Sequence, residues 1–442
     1  MIRSAPSDVQ VFILPASWKS ALQQASVAAD ISTSRQVHLT QGPKRVGKST
    51  FSRTLLNVLL TRYRRVAFLE CDIGQSEFTP GGMVALNVVS SPVFGPPFTH
   101  FSLPYRAHYI GSPSPQHLPS HYLEAIEALV HTYNADIQYD VADDIEGDDR
   151  IADFVPLVVN TMGWTKGLGA DLSRRISELV EPSMIFAFET PTFDDNWPSY
   201  PNLGNSLYED VTPAKSHVLE PIPSSPATQR YPPADHRTLS LLSYFYAVPP
   251  SEPHAPVRSW DTTLPLCAQL PYELILSSAV DAVVLCGPGL EDVVSHEIGR
   301  VLNGALVALV ACESEALAIT PGLVHRPLYL QGASLPPPTA SSCIGLGLIR
   351  SADLDSLGHL TSSSRLQLLT SVPPEVLCKS PPRVLVKGDM EIPVWGMLDF
   401  RSEDGVAGVE RGKVPFLRWG RIEGMGSERR RVRRNLMRRA QQ

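Results

Sequence analysis

The chain has 442 residues, 43% of them hydrophobic, enough for two or three domains with real apolar cores. No uninterrupted apolar run approaches the roughly 18–20 residues of a membrane span, and Met1-Ile2-Arg3-Ser4-Ala5-Pro6 lacks the charged-then-apolar layout of a secretory signal. The net charge of −7 hides an asymmetry: Arg411 to the end carries eleven Lys/Arg and two Asp/Glu, against 27 basic and 43 acidic residues before it.

Residues 1 to about 36 contain Val11-Phe12-Ile13-Leu14-Pro15 and Trp18, apolar pieces suited to packing on the next domain. From 37 to about 190, strand-like and helix-like segments alternate. Val37-His38-Leu39-Thr40 predicts a short strand and residues 51–60 a helix. Arg65 to Cys71 predicts a buried strand ending on Asp72, and residues 120–130 carry apolar side chains at helical spacing. Residues 154–161 predict a strand, 168–180 a helix and 184–188 another strand. This alternation implies an α/β fold, a mostly parallel sheet with helices on both faces. The acidic stretch 136–150 reads as an exposed insertion.

Residues 191–235 lose periodicity to Pro, Ser, Asn and Asp, which predicts a long loop or disordered linker. A short amphipathic helix is expected over 236–245, then a Pro-rich linker at 248–265. Residues 266–417 read as a smaller β-rich C-terminal domain, with strands over 279–286 and 305–310. Residues 418–442 form an Arg-rich tail. From charge alone that tail suits RNA, an acidic or phosphate-like site on a partner, a nuclear address or simple solvation. The six cysteines show no metal-like spacing and read as buried reduced thiols.

Three constellations carry chemistry. The first is a complete G-x-x-x-x-G-K-S phosphate loop: Gly42, Pro43, Lys44, Arg45, Val46, Gly47, Lys48 and Ser49, followed by Thr50. Strand, loop and helix together form an ATP-binding cradle in which backbone N–H groups and a helix N-terminus meet phosphate oxygens. Lys48 would reach the β/γ-phosphates and Ser49 would ligate Mg²⁺. No Asn-Lys-x-Asp motif is present to read guanine, which favours ATP. The second is Asp72-Ile73-Gly74-Gln75, at the carboxyl end of its strand, where ligands of open α/β sheets sit. Asp72 there can hold Mg²⁺ or take a proton from an attacking hydroxyl. The third is Thr161-Met162-Gly163-Trp164, directly after a strand, whose indole can stack on a nucleobase.

Together these resemble the polynucleotide 5′-hydroxyl kinase family, with its phosphate loop, D-x-x-Q acid motif, T-x-G-W clasp and Arg-bearing lid. Glu70 stands where the family usually has Asp, and Arg237 falls at the lid's distance before Tyr244-Phe245. Arg230 is the nearest candidate for a second lid arginine. The runs Phe78–Gly82, Tyr109–Pro115, Cys343–Arg350 and Trp419 through Arg438 are similar to the nucleolar, pre-ribosomal branch. Members carry a β-rich domain before the phosphate loop. Residues 1–36 are therefore expected to be a short remnant of a truncated one, ahead of a kinase domain over 37–247.

The resemblance implies transfer of the ATP γ-phosphoryl group to the 5′-OH end of RNA. Lys48, Asp72, Gln75 and Arg237 would be catalytic, Thr161, Gly163 and Trp164 would clamp the RNA, and Ser49 and Asp72 would hold Mg²⁺. Lys44 and Arg45 could contact phosphates or simply be solvated. The family's nucleolar branch works in the nucleus and nucleolus with a HEPN-type pre-rRNA endonuclease, docked through the C-terminal tail. Alternatives are a kinase of the messenger 3′-end and transfer-RNA branch, an ATP-binding scaffold without turnover, and a generic ATP-driven switch.

Overall fold

In the computed structural model the described residues are 12–31, 36–139, 147–188, 214–222, 232–252, 254–313, 316–317, 328–355, 358–361 and 363–398. Among them no helix is long and apolar enough to cross a membrane.

The first half is built on seven strands: β1 (Val37–Gln41), β2 (Val66–Glu70), β3 (Met83–Val89), β4 (Arg106–Tyr109), β5 (Leu157–Asn160), β6 (Met184–Phe188) and β7 (Lys215–Leu219). Their order is β4-β3-β2-β5-β1-β6-β7. The run from β2 to β7 is parallel, while β3 and β4 add antiparallel at one edge. Four helices cover the sheet: α1 (Ala16–Ile31), α2 (Lys48–Leu59), α3 (Pro119–Thr132) and α4 (Leu168–Val180).

The period-two alternation of strand side chains divides two cores. Val37, Leu39, Leu69, Leu157 and Val159 point to one face, where Tyr122, Ile126 and Leu129 of α3 and Leu172 and Ile176 of α4 cover them. Phe68, Val158 and Phe186 point to the other, under Phe51, Leu55 and Leu56 of α2 and Trp18 of α1. Trp18 is fully buried and meets Phe51 and Phe188 edge to face, so residues ahead of β1 are part of this core.

Helix α5 (Pro233–Tyr246) leads to a second sheet of six strands: β8 (Tyr272–Ile275), β9 (Ala282–Leu285), β10 (Leu306–Cys312), β11 (Ser341–Ala352), β12 (Arg365–Thr370) and β13 (Val384–Lys387). Their order is β8-β12-β11-β10-β13-β9, antiparallel except for the β13–β9 pair. The two sheets share a core: Met83, Ala85, Ala107 and Tyr109 of the first pack with Leu306, Ala308, Leu346 and Val384 of the second. Leu241 and Phe245 of α5 belong to the same cluster. Arg106 crosses the seam, donating to Thr132 Oγ1 at 3.1 Å and to the carbonyls of Pro338, Thr339 and Ser341.

Three readings of the sequence need correction. Residues 191–235 do not lack regular structure throughout, because 215–219 form β7. That strand alternates weakly, with only Leu219 buried, which hid it among prolines and serines. The stretch 248–265 is largely exposed yet tethered rather than free: Val257 N–H donates to Phe101 O at 2.6 Å and Ala247 bridges Trp260. The stretch 136–150 is not wholly exposed, since Ile137 is buried where α3 continues into a π-helical turn over Tyr133–Ile137. The segments 189–213, 223–231 and 399–442, which include Arg230 and the Arg-rich tail, lie outside the described residues.

Burial keeps His38 on β1 and His121 on α3 neutral down to about 4. It holds His108 on β4 down to about 3, helped by the charges of Arg106 and His121. Neither ring nitrogen of His38 meets a hydrogen-bond partner among the described residues. The unfolded chain takes up these protons near 6.5, so the folded state's advantage is complete above 6.5 and is lost as pH falls towards 4. The melting temperature should therefore drop between pH 6.5 and 4. His38→Phe should flatten that slope, by at most about 1.4 kcal/mol per pH unit. An unchanged slope in the variant would show that His38 is not among the groups responsible.

Candidate active site

The phosphate loop leaves β1 at Gln41 and enters α2 at Lys48. Its course demands the two fixed glycines. Gly42 and Gly47 take φ of 145° and 106°, and an added Cβ would come within 2.7 Å of Phe188 Cβ and 2.9 Å of Ile222 Cδ1 respectively. Arg45, at φ 65°, adopts a left-handed conformation that few non-glycine residues accept. The loop has a floor: Ile222 N–H donates to Val46 O at 2.9 Å, and Trp18 indole N–H donates to Glu220 O at 2.9 Å. No side chain caps α2, so its first N–H groups remain for a ligand's phosphates.

Lys48 is buried, and its ammonium donates to Pro43 O at 2.7 Å inside its own loop. Burial lowers its pKa to about 8 against the opposing pull of Asp72 and Glu70, and the charge of Lys44 lowers it further. Incoming phosphates would raise it again.

The acids stand at the carboxyl end of β2, one strand from the loop across β5. Glu70 is 1% exposed, and its carboxylate accepts N–H bonds from Asp72 at 2.8 Å and Glu77 at 3.1 Å. Asn160, at the end of β5, donates to both Glu70 oxygens at 2.9 and 3.2 Å. It also reaches Ser49 Oγ at 3.4 Å, while Ser52 Oγ donates to its carbonyl at 3.4 Å. Asp72 Oδ1 accepts from the N–H groups of Gly74 at 3.0 Å and Gln75 at 3.3 Å, which fixes its rotamer. Burial raises the Asp72 pKa, opposed chiefly by Lys48. The Gln75 side chain is exposed beside it. Behind these groups Glu77 pairs with Arg53 at 2.9 Å and His100 at 3.0 Å, anchoring the loop that follows Asp72.

These residues fit a magnesium ion. Asp72 Oδ2 meets no hydrogen-bond donor among the described residues and, with the Ser49 hydroxyl, offers two hard oxygens beside the phosphate cradle. Mg²⁺ is commonly held by one or two carboxylates with waters and phosphates completing the set.

The clasp lies against the phosphate loop. An added Cβ on Gly163 would fall 2.6 Å from Lys44 Cγ and 2.8 Å from its Cα and N. Trp164 is half-buried, with Lys44 Nζ 5.5 Å from its ring centroid. Thr161 does not reach the site. It is buried and donates to Thr40 O at 2.8 Å, so its hydroxyl ties the clasp to β1. Arg237, half-buried on α5, comes near the loop after Asp72, where a Cβ on Gly81 would lie 3.8 Å from its Cδ. Burial lowers its pKa and the charge of Asp72 opposes this. The structure thus brings together Lys48, Ser49, Asp72, Gln75, Arg237 and, on the rim, Lys44, Gly163 and Trp164. Sequence reasoning missed Asn160, Glu77, Arg53 and His100. Only Asn160 left a signal, an amide closing an otherwise apolar strand.

Residues 42–247 match the family model described as the mRNA cleavage and polyadenylation factor CLP1 P-loop. The chain is 38% identical over 99% of its length to polynucleotide 5′-hydroxyl-kinase GRC3 of Cryptococcus neoformans var. neoformans (strain B-3501A), covering 61% of that protein. It is 30% identical to grc3 of Schizosaccharomyces pombe, over 97% of this chain and 58% of the relative. The corresponding figures for NOL9 of Danio rerio are 30%, 77% and 44%. The chain therefore spans about three fifths or less of these relatives. Among solved structures it resembles Clp1p in complex with Pcf11p. One such structure gives a TM-score of 0.55 at 14% identity, over 85% of this chain and 79% of that one, a likeness of fold.

Gly163→Ala should push the backbone of Lys44 and disturb the phosphate loop without unfolding the sheet. The expected outcome is a roughly tenfold loss in ATP affinity, about 1.4 kcal/mol, with an unchanged circular dichroism spectrum. Undiminished affinity would mean that clasp and loop separate freely.

Proposed function

The chain belongs to the polynucleotide 5′-hydroxyl-kinase family, and on that premise we propose that it transfers the γ-phosphoryl group of ATP to the 5′-hydroxyl end of RNA. The observation that carries this reading is the convergence of Lys48, Asp72 and Arg237 around one phosphate cradle. A nucleotide-holding scaffold needs the cradle alone. An acid ringed by N–H donors and a cation brought in on a separate helix suit a reaction in which charge moves.

Phosphoryl transfer asks for positioning and for neutralisation of spread negative charge. Residues Gly42 to Thr50 bind the triphosphate through backbone N–H groups, and Lys48 leaves Pro43 O to meet the β- and γ-oxygens. Ser49 and Asp72 would hold Mg²⁺, whose chemistry there would be Lewis-acid neutralisation of the phosphates. Asp72 would accept the proton of the attacking 5′-OH at Oδ2 and hold Mg²⁺ through an intervening water, its other oxygen being fixed by Gly74 and Gln75. Gln75 helps place groups at the mouth. Arg237 neutralises charge on the transferred group in the manner of an arginine finger. Gly163 and Trp164 receive the terminal nucleotide, Trp164 by stacking, for which Lys44 must yield the indole face.

The setting we propose is pre-ribosomal RNA processing in the nucleolus. The partner would be a HEPN-type endonuclease that leaves the 5′-OH end, engaged by the Arg-rich segment 418–442. The charge of that segment supports the assignment.

The test combines γ-labelled ATP, Mg²⁺ and 5′-OH RNA with the full chain, alone and with such a nuclease. Label should appear on the RNA end, vanish in Lys48→Ala and fall about 10³-fold in kcat in Arg237→Ala. ATP binding without label under every condition would overturn the kinase reading in favour of a scaffold.

A further inference from the structure

We infer that Asn160 is a positioning residue for the cation-binding end of the phosphate loop. On this inference, which rests on the kinase reading above, its amide sets the Ser49 hydroxyl and the Glu70 carboxylate in one register. Asn160 is fully buried on β5, the strand between the one that launches the phosphate loop and the one that ends in the acids. Its amide has two N–H donors and one carbonyl, and every one is engaged. Nδ2 serves Glu70 at 2.9 and 3.2 Å and Ser49 Oγ at 3.4 Å, while Oδ1 accepts from Ser52 Oγ at 3.4 Å. Turning the amide over would set its carbonyl against a buried carboxylate, so only one orientation is tolerable.

That orientation has a consequence for Ser49. A hydroxyl oxygen has two lone pairs. Asn160 engages one of them, which directs the other and the hydroxyl proton towards the loop mouth. Mg²⁺ tolerates little departure from octahedral geometry, so a ligand fixed before the ion arrives is worth more than one that must be ordered. Through Glu70 the same amide reaches the N–H groups of Asp72 and Glu77, joining the loop hydroxyl to the segment that carries the second metal oxygen. Asn160 touches no reacting atom and acts through Ser49 and Glu70.

The experiment is calorimetric titration of the full chain with a non-hydrolysable ATP analogue, in Mg²⁺ and in EDTA, for wild type, Asn160→Ala and Ser52→Ala. For Asn160→Ala the affinity in EDTA should stay within about twofold of wild type. The strengthening by Mg²⁺ should shrink about tenfold, and half-saturating Mg²⁺ should rise by a similar factor. Ser52→Ala, which frees only the amide carbonyl, should shift both the same way by about two- to threefold. Adding Asn160→Ala to Ser49→Ala should weaken Mg²⁺ coupling no further than Ser49→Ala alone. Equal losses with and without metal, or an unchanged Mg²⁺ dependence, would overturn the inference. If Asn160→Ala fails to fold, Ser52→Ala decides alone. These titrations need no phosphate transfer, so a chain that binds nucleotide with Mg²⁺ yet never labels RNA would sink the kinase reading and still decide this one.

Discussion

A single buried carboxylate, Glu70, organises the centre of this molecule. Burial and the charge of Asp72 push its pKa well upward, which measures how strongly the interior resists a charge there. An unpaired ion in such a place costs several kcal/mol, and it is tolerated because the Asp72 and Glu77 N–H groups and the Asn160 amide all point at it. The bargain runs both ways. Those donors, and therefore the backbone that carries Asp72, can stand only where Glu70 holds them. The Glu70 side chain spans from its own strand end to the N–H seven residues on.

From that anchor the geometry spreads outward through the backbone. Gly82 N–H donates to Ile73 O at 2.8 Å, and Ile110 and Gly111 N–H donate to Gly82 O at 2.8 and 3.0 Å. Asp389 N–H, from the loop after β13, donates in turn to Gly111 O at 2.8 Å. The second sheet is thus wired into the loop that follows Asp72, and α5, packed in the shared core, holds Arg237 within reach of the Asp72 charge. The second sheet contributes no named catalytic side chain. It fixes where those of the first sheet stand.

The sequence made legible whatever depends on short-range pattern. The parallel core was foreseen from its alternation, with helix 168–180 and strand 184–188 at their observed bounds. The phosphate loop was readable because glycine at two positions of positive φ, with Lys and Ser at fixed offsets, is a local demand. The antiparallel edge strands β3 and β4 were not foreseen, because their partners are set by tertiary pairing and β4 packs near β11 of the other sheet. Thr161 shows a related limit: T-x-G-W gives the spacing of its residues but not which side chain turns inward, as Thr161 does towards Thr40 O. Asn160 and Glu77 are ordinary polar residues in sequence. Their meaning lies in contacts across strands and loops that no linear spacing announces.

The close approach of Gly111 to Gly388 at the seam bears on how such a chain can change over time. Two modules joined by a tether can be exchanged, duplicated or refitted separately, as happens in many multidomain chains. Here backbone meets backbone without room for a side chain, and the apolar residues of one sheet complete the interior of the other. A foreign second half would have to bring the same glycine, the same curvature and the same apolar face. The two sheets are therefore coupled physically as one piece, and a change in one at the seam has to be met by a matching change in the other.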